Sequence, residues 1–550
     1  MNKKTQTKQS SREFGLLSMI AMVMGIVIGS GIFAKNAGLV STNGSIYITF
    51  VAWIVGAILV LSIVIAFMEL FTMTEKANEQ ATYANWGRML INSKFAKFAS
   101  MYFIFVNLPI SIVTLTIFAG NRIVDVLFVD TNLISTTTSY FLIRLLIVVL
   151  LLTYFFTING LYTKPGKYLQ NIGTTVKVIP LGFVFILFLI MLMIPGSEIN
   201  PIFNQDFNQA ITNASEVNND GVNGLLVFAS TMPAIIFVFD GFLTSGSLSK
   251  EAKSPSTYRY AVLIGIILIT FVYLTYSLGV FALGSPFVDA SNNAVSWSDY
   301  DASQSYTLDS NYGEINNAII SVFGEGAQWF ASLITLIVAI SIITSVSGIT
   351  MSCMRGISDM SANNLISDPE GKTLIRNQHN SLPGAMKIVI LLCIGYFLID
   401  VSLDAIAIPS GGWETADNYH LTAGSDFFSN LTSVGSFIIM AILLAAGVRN
   451  RKTKVADSQK FKFFIPAAIT AIITLGLIVI IYVIQIFWFA PPEGDGYDAY
   501  VRMYIVQIIV AFIWLLSTPI WYWWLNKRSL KVSDDQYKLK EEIINNYKNA

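Results

Sequence analysis

The residues best placed to do chemistry lie inside apolar runs. Near the N-terminus, Gly25-Ile26-Val27-Ile28-Gly29-Ser30-Gly31-Ile32-Phe33 sets small, flexible residues into a hydrophobic stretch. A second interruption, Phe237-Val238-Phe239-Asp240-Gly241-Phe242-Leu243-Thr244-Ser245-Gly246-Ser247, adds a carboxylate. A helix in lipid avoids such clusters unless it opens there, because an unwound turn bares N–H and C=O groups that hydrocarbon cannot satisfy. Opened backbone offers both donors and acceptors. That is the set a zwitterion needs: donors for its carboxylate, acceptors for its ammonium. Broken helices near the bilayer midplane serve this purpose in secondary transporters, with half-helix N-termini facing the anionic group. The competing reading is packing, since Gly25, Gly29 and Gly31 also fit a small-residue stripe that lets two helices approach closely.

Composition sets the class. Of 550 residues, 54% are hydrophobic and 12% charged, against roughly 25% charged in soluble domains. Apolar segments long enough to span hydrocarbon, about 17–25 residues each, fall near 15–40, 46–72, 98–128, 139–159, 173–195, 223–247, 259–283, 327–353, 384–403, 428–448, 463–489 and 502–525. The expectation is an all-α polytopic membrane protein with twelve transmembrane helices. Met1 to Arg12 is polar and basic, and the first span lacks a small-residue cleavage pattern, so no cleavable signal peptide is expected. The two cysteines, Cys353 and Cys393, lie within apolar segments or at their ends and form no disulfide framework.

A net charge of zero hides a bias between alternate loops. From Gly196 to Leu226, from Gly284 to Gln328 and from Asp400 to Gly435 there is no Lys or Arg, whereas acids are present in each. The other loops carry Lys76, Arg88, Lys94 and Lys97; Lys250, Lys253 and Arg259; Arg449, Arg451, Lys452 and Lys454. The positive-inside rule then places both termini in the cytoplasm of a multi-pass cell-membrane protein. Span 1 enters from inside and span 6 from outside, five spans apart. This parity, with a break in each, is the pattern of an inverted 5+5 repeat whose corresponding helices are discontinuous.

Four stretches resemble the amino acid, polyamine and organocation (APC) superfamily. They are Gly25 to Phe33; Met68-Glu69-Leu70 followed by Ala81-Thr82-Tyr83-Ala84-Asn85-Trp86; Phe239-Asp240-Gly241-Phe242 followed by Ser249 to Pro255; and Ser352-Cys353-Met354-Arg355 through Leu365, after helix 8. The departures mark a divergent bacterial-type branch. Gln80-Ala81 stands for the usual glycine pair after helix 2, Leu243 for the usual acid of helix 6, and Asp240 occupies an ordinarily uncharged position. The resemblance implies a LeuT-type fold, with a cytoplasmic tail at 1–13, a transport core of spans 1–10 at 14–450, spans 11–12 at 451–526 and a cytoplasmic tail at 527–550. It also implies a secondary active amino acid permease or antiporter.

By the same resemblance, the Ser30 and Gly31 N–H groups and the Ser30 hydroxyl would bind the substrate carboxylate, and the carbonyls of Val27, Phe237 and Asp240 would accept from its ammonium. Phe237 and Phe239 would be walls or an occluding ring; either could equally be ordinary core. Gly29, Gly31 and Gly241 would be the hinge points. Lys177, several residues inside the cytoplasmic edge of span 5, can snorkel. In many sodium-independent relatives, however, a helix 5 lysine fills the sodium site and ties helices 1, 5 and 8. That implies transport driven by exchange or by protons, which a buried ammonium could itself carry. An acid at Asp240 would favour cationic substrates; a glutamate/GABA-type or neutral amino acid exchanger is the alternative.

Other charges read as structural. Arg144 is expected to snorkel or to pair with Asp125 or Asp130, Asp400 and Asp404 to be loop or vestibule residues, and Glu69 to tie to a cytoplasmic lysine. Asn107 and Pro109 would line the pocket or kink span 3. A membrane enzyme would need a nucleophile, base or metal cluster, yet the two histidines, His379 and His420, fall in polar loops without partners at metal-ligand spacing. No P-loop is present. A transporter-like sensor would carry an extra soluble domain, whereas the tail from Asn526 to Ala550 is short and charged. No metal, cofactor or nucleic-acid partner is expected, only substrate and lipid. In a cysteine-free background, a cysteine at Ser291 should label with an impermeant maleimide from outside, and one at Asn450 only after permeabilisation. External labelling at 450 would overturn the twelve-span topology.

Overall fold

The computed structural model describes residues 15–29, 31–36, 39, 45–77, 79–127, 137–161, 173, 176–177, 179–190, 228, 231–239, 241–284, 287–288, 307–308, 314–362, 365–368, 371–374, 382–407, 423–488 and 497–529. Ser30, Asp240 and Ser291 lie outside them. The first break separates α1 (Leu16–Val27) from α2 (Gly31–Lys35). There follow α3 (Ile46–Lys76), the short α4 (Tyr83–Leu90), then α5 (Ser93–Met101) running through a π-helical turn (Tyr102–Asn107) into α6 (Leu108–Leu127). Next come α7 (Thr137–Leu161), α8 (Ile179–Ile190), α9 (Met232–Phe239), a 3-10 turn (Thr244–Glu251) and α10 (Pro255–Leu283). The chain continues with α11 (Ile315–Phe323), α12 (Gln328–Ala362), α13 (Pro383–Ala407), α14 (Ala423–Thr453), α15 (Phe464–Trp488) and α16 (Tyr497–Ser529).

Among the described residues nine helical spans are long and apolar enough to cross a membrane, and the shorter apolar helices Leu16–Val27, Ile179–Ile190 and Met232–Gly246 fall where spans 1, 5 and 6 are expected. The protein is a polytopic, almost wholly helical membrane protein. A two-residue antiparallel ladder pairs β1 (Phe287–Val288) with β2 (Thr307–Leu308) in the segment after α10, a departure from the all-α expectation. Helix starts carry their caps: the side chains of Ser45, Thr82, Asn92 and Ser254 accept from the N–H three residues on, answering donors that have no intrahelical acceptor. The Ser93–Leu127 span is 89% buried and packs most extensively on α12, whereas the spans of α7, α15 and α16 are each 28% buried. Leu142, Leu146 and Leu150 of α7 and Ile473, Leu477 and Ile480 of α15 stand outward at helical spacing, the pattern of a hydrocarbon-facing surface.

Several boundaries differ from expectation, each for an identifiable reason. Helix 8 runs on to Ala362, so Ser352 through Ala362 belongs to α12 and not to the loop after it. Asp400 and Asp404, expected in a loop or vestibule, are buried within α13. The helix can continue through them because partners wait there. Arg144 reaches Asp404 at 3.0 Å, the Gly424 N–H donates to the other oxygen at 3.3 Å, and Ser425 donates to Asp400 at 2.6 Å. Arg144 therefore does not snorkel, and Asp125 lies instead 3.6 Å from Arg122, while Asp130 lies outside the described residues. Arg122 in turn makes a two-pronged pair with Glu314, ahead of α11, at 2.8 and 2.5 Å.

At the other end of the bundle Glu69 is tied as expected, but by an arginine. Arg451 donates to both its oxygens at 2.9 and 2.5 Å, and the Phe461 N–H adds a third bond at 3.0 Å. Guanidinium suits this role because its planar fork matches a carboxylate. Lys76 meets Asp457 at 2.8 Å and the Gln459 N–H donates to Thr72 Oγ1 at 2.9 Å, so the segment between α14 and α15 is bound to the end of α3, with Arg259 of α10 reaching both Glu75 at 3.5 Å and Gln459 at 3.4 Å. Asn450 is buried and clamps the backbone of Ala456. The exposed Lys452 is thus the better reporter for the topology test.

Removing one member of a buried ion pair strands the other charge, at about 3–5 kcal/mol. Asp404→Ala should therefore lower the melting temperature of the purified protein markedly, whereas Asp457→Ala, at an exposed pair, should leave it nearly unchanged. Equal effects would show that Arg144 finds another counter-charge.

Candidate substrate site

Two interrupted helices meet in the middle of the bundle. α1 ends at Val27, where the N–H of Ile28 still bonds to Met24 O, and α2 begins at Gly31. α9 ends at Phe239, and Gly241 adopts φ +101° before the 3-10 turn. That left-handed conformation is why glycine stands at 241. The breaks touch, for a methyl group on Gly31 would lie 2.9 Å from Val238 Cα. The open-turn and close-packing readings of the Gly25–Gly31 cluster are thus not rivals. Gly31 allows the contact between the two helices and also borders the space between them.

The opened backbone has named partners. The Tyr273 hydroxyl of α10 lies 3.2 Å from Val27 O and 3.3 Å from Val238 O, so one proton serves a carbonyl from each broken helix. Lys177, just ahead of α8, is buried and donates to Gly25 O at 2.5 Å and to Ser345 Oγ on α12 at 2.7 Å. Its ammonium therefore joins helices 1, 5 and 8. The glycine at 173 abuts the Thr344 side chain, bringing the start of this segment against α12.

Between the breaks and the π turn is a cavity of about 70 Å³, several times the ~10–15 Å³ that one water needs. Val27, Gly29 and Gly31 border it from the first break, Phe237 and Gly241 from the second. Ser345 lines it as well, placing the Lys177 contact at the cavity wall. Phe239 stands elsewhere, packed edge-on against Trp53 and Tyr273 with ring centroids 6.4 and 5.1 Å away. Ser30 and Asp240 fall outside the described residues. From helix 3, Asn107 ends the π turn and lines the cavity. Its amide nitrogen donates to Thr432 O at 3.2 Å and Ser436 Oγ at 3.1 Å. Its backbone carbonyl accepts from Ser111 Oγ at 2.8 Å, and among the described residues no donor reaches its side-chain oxygen Oδ1.

Sequence reasoning missed Tyr273 and Ser345. The run Ser341-Ile342-Ile343-Thr344-Ser345-Val346-Ser347 puts hydroxyls on one helical face of an apolar span, a pattern that could have pointed to Ser345. Tyr273 lies three residues from Tyr276, and nothing local distinguishes its hydroxyl from that of Tyr276.

The family model for amino acid permeases matches residues 14–514. The chain belongs to the amino acid permease family. Over 98% of its length it is 21% identical to 97% of an uncharacterized protein of Mycoplasma pneumoniae. It is 23% identical to the human b(0,+)-type amino acid transporter 1 over 50% of this chain and 53% of that one. It is also 23% identical to the serine/threonine exchanger SteT of Bacillus subtilis, over 58% of this chain and 64% of that one. The similarity to these transporters thus covers between half and two thirds of each. The permease's opened helices, cavity and buried ammonium lie within the matched residues.

Since the neighbour of Gly31 is backbone, it cannot turn aside for an added methyl group. Gly31→Ala should push the two breaks apart and abolish the thermal stabilisation that substrate gives the purified protein, while far-UV circular dichroism stays helical. A variant that binds and transports as the parent does would show the contact to be dispensable.

Proposed function

We propose that this permease is a sodium-independent secondary transporter of amino acids that works by alternating access on a LeuT-type 5+5 repeat, with both termini in the cytoplasm of a cell-membrane protein. The observation that carries the reading is the Lys177 ammonium between Gly25 O and Ser345 Oγ. A fixed cation there takes the carbonyl and hydroxyl oxygens that a sodium ion would need, so the driving force is exchange or a proton gradient. One relative is named an exchanger, which favours the first. In this reading residues 14–450 form the transport core, 451–526 the two added spans, and 1–13 and 527–550 the tails.

The substrate sits in the cavity. Its carboxylate takes the N–H groups of Ser30 and Gly31, and its ammonium the carbonyls of Val27, Phe237 and Asp240. Val27 O already receives the Tyr273 hydroxyl, but a carbonyl has two lone pairs and can accept again. The side chain then meets the acceptor oxygen of Asn107 and, from the residue next to Gly241, the Asp240 carboxylate. Both favour a side chain that carries donors: hydroxyl, amide or cation. A cationic preference is the sharper form, because a carboxylate in the membrane interior costs about 2.5–3.5 kcal/mol and an opposite charge offsets that cost. In this reading Arg122, seven residues beyond Leu115 of the cavity wall and about 10 Å farther along the same helical face, stands with its partner Glu314 on the outer side of the cavity.

Uptake of labelled amino acids into proteoliposomes, with and without internal substrate, a pH gradient and sodium, tests the whole reading. Uptake should depend on internal substrate or on the pH gradient and be unaffected by sodium, and Lys177→Ala should cut turnover at least tenfold. Uptake that scales with sodium would refute it. Asp240→Asn separates the two side-chain readings. A cation-selective site loses affinity for lysine or arginine much more than for alanine or leucine, whereas an equal loss for all leaves the neutral reading.

A further inference from the structure

The π turn of helix 3 is held by a helix outside the ten-span core. A π turn inserts a residue without lengthening the helix, so it rotates everything beyond it and leaves carbonyls without their usual donors. Here the surrounding helices supply them. Tyr396 of α13 donates to Phe105 O at 3.2 Å and Cys353 of α12 to Ile104 O at 3.4 Å. The Tyr102 hydroxyl donates to Thr432 O at 2.8 Å, the same carbonyl that receives the amide of Asn107. Ser436 donates to Thr432 O as well, at 3.1 Å.

Helix α16 touches this turn at its start and again at Phe105. The Trp514 indole N–H donates to the Tyr102 oxygen at 3.4 Å with the rings edge-on, and Trp521, two helical turns later, packs on Phe105 with centroids 5.7 Å apart. The glycine at 435 makes room for this: a methyl group there would overlap the Tyr102 hydroxyl and come within 2.6 Å of Trp514.

We propose that Trp514 is a positioning residue for side-chain selection: through Tyr102 and Thr432 it holds the π turn so that the side-chain oxygen of Asn107 is presented to the cavity. The last span thus acts on substrate choice without touching substrate. This rests on the reading of the cavity as the substrate site. Its consequence is specific. Loosening Trp514 should degrade recognition of a donor-bearing side chain and leave an apolar one of the same shape alone.

Threonine and valine are such a pair. In proteoliposomes of the full chain, Trp514→Phe keeps the ring and removes the N–H, and Tyr102→Phe removes the hydroxyl. Each should raise the ratio of KM for threonine to KM for valine about three- to tenfold, the range of one neutral hydrogen bond, with kcat for valine unchanged. Asn107→Ala should raise the ratio at least as far, and adding Trp514→Phe to it should change nothing more. Equal KM changes for both substrates, a change in kcat alone, or full additivity with Asn107→Ala would overturn the role of Trp514. A ratio that Asn107→Ala leaves at the parent value removes the cavity reading and this proposal with it. If Trp514→Phe does not fold, Tyr102→Phe alone decides.

Discussion

A membrane interior gives no water to a bare N–H or C=O, and this constraint organises the molecule. Opening two helices at once would be prohibitive in lipid, because each unanswered group costs several kcal/mol. The structure answers by placing the openings against each other and bringing donors to them. Tyr273 serves Val27 O and Val238 O, and Lys177 serves Gly25 O.

The charged ties at the two ends follow from the same scarcity. Where water is far, an ion pair must be geometrically good to be tolerated, and the ones found here are mostly guanidinium with carboxylate: Arg122 with Glu314, Arg144 with Asp404, Arg451 with Glu69. Each joins segments remote in sequence. The Arg122–Glu314 pair stands at one end of the bundle, and the Glu69–Arg451 pair ties the other end to the segment ahead of α15.

Much of this was legible in the chain. Low charge and long apolar runs dictated a polytopic helical protein, and the glycine clusters at 25–31 and 241–246 pointed to the broken helices, although glycines such as Gly56 and Gly265 sit inside continuous ones. The contact set of Lys177 was anticipated only by resemblance to a known family, since by residue type and depth alone that lysine could equally have snorkelled. Pairings across the fold were not legible. Arg144 had Asp125 near it in sequence and Asp404 near it in space, and the second won because helices 4 and 9 pack side by side. Phe237 and Phe239 look alike in the sequence, yet one borders the cavity and the other packs on Trp53. Two residues apart on a helix means about 200° around its axis.

The sequence by itself determined what each segment needs: an apolar surround, a partner for each buried charge, a relief for each interrupted turn. Those needs follow from residue type and are local. Which group meets which need is a matter of helix packing, and only the tertiary structure decided it. The π turn shows the difference most clearly. Nothing in Tyr102-Phe103-Ile104-Phe105-Val106-Asn107 announces an extra residue in the turn, because its carbonyls are satisfied by Tyr396, Cys353 and their neighbours on other helices, and the backbone takes the shape those distant donors allow.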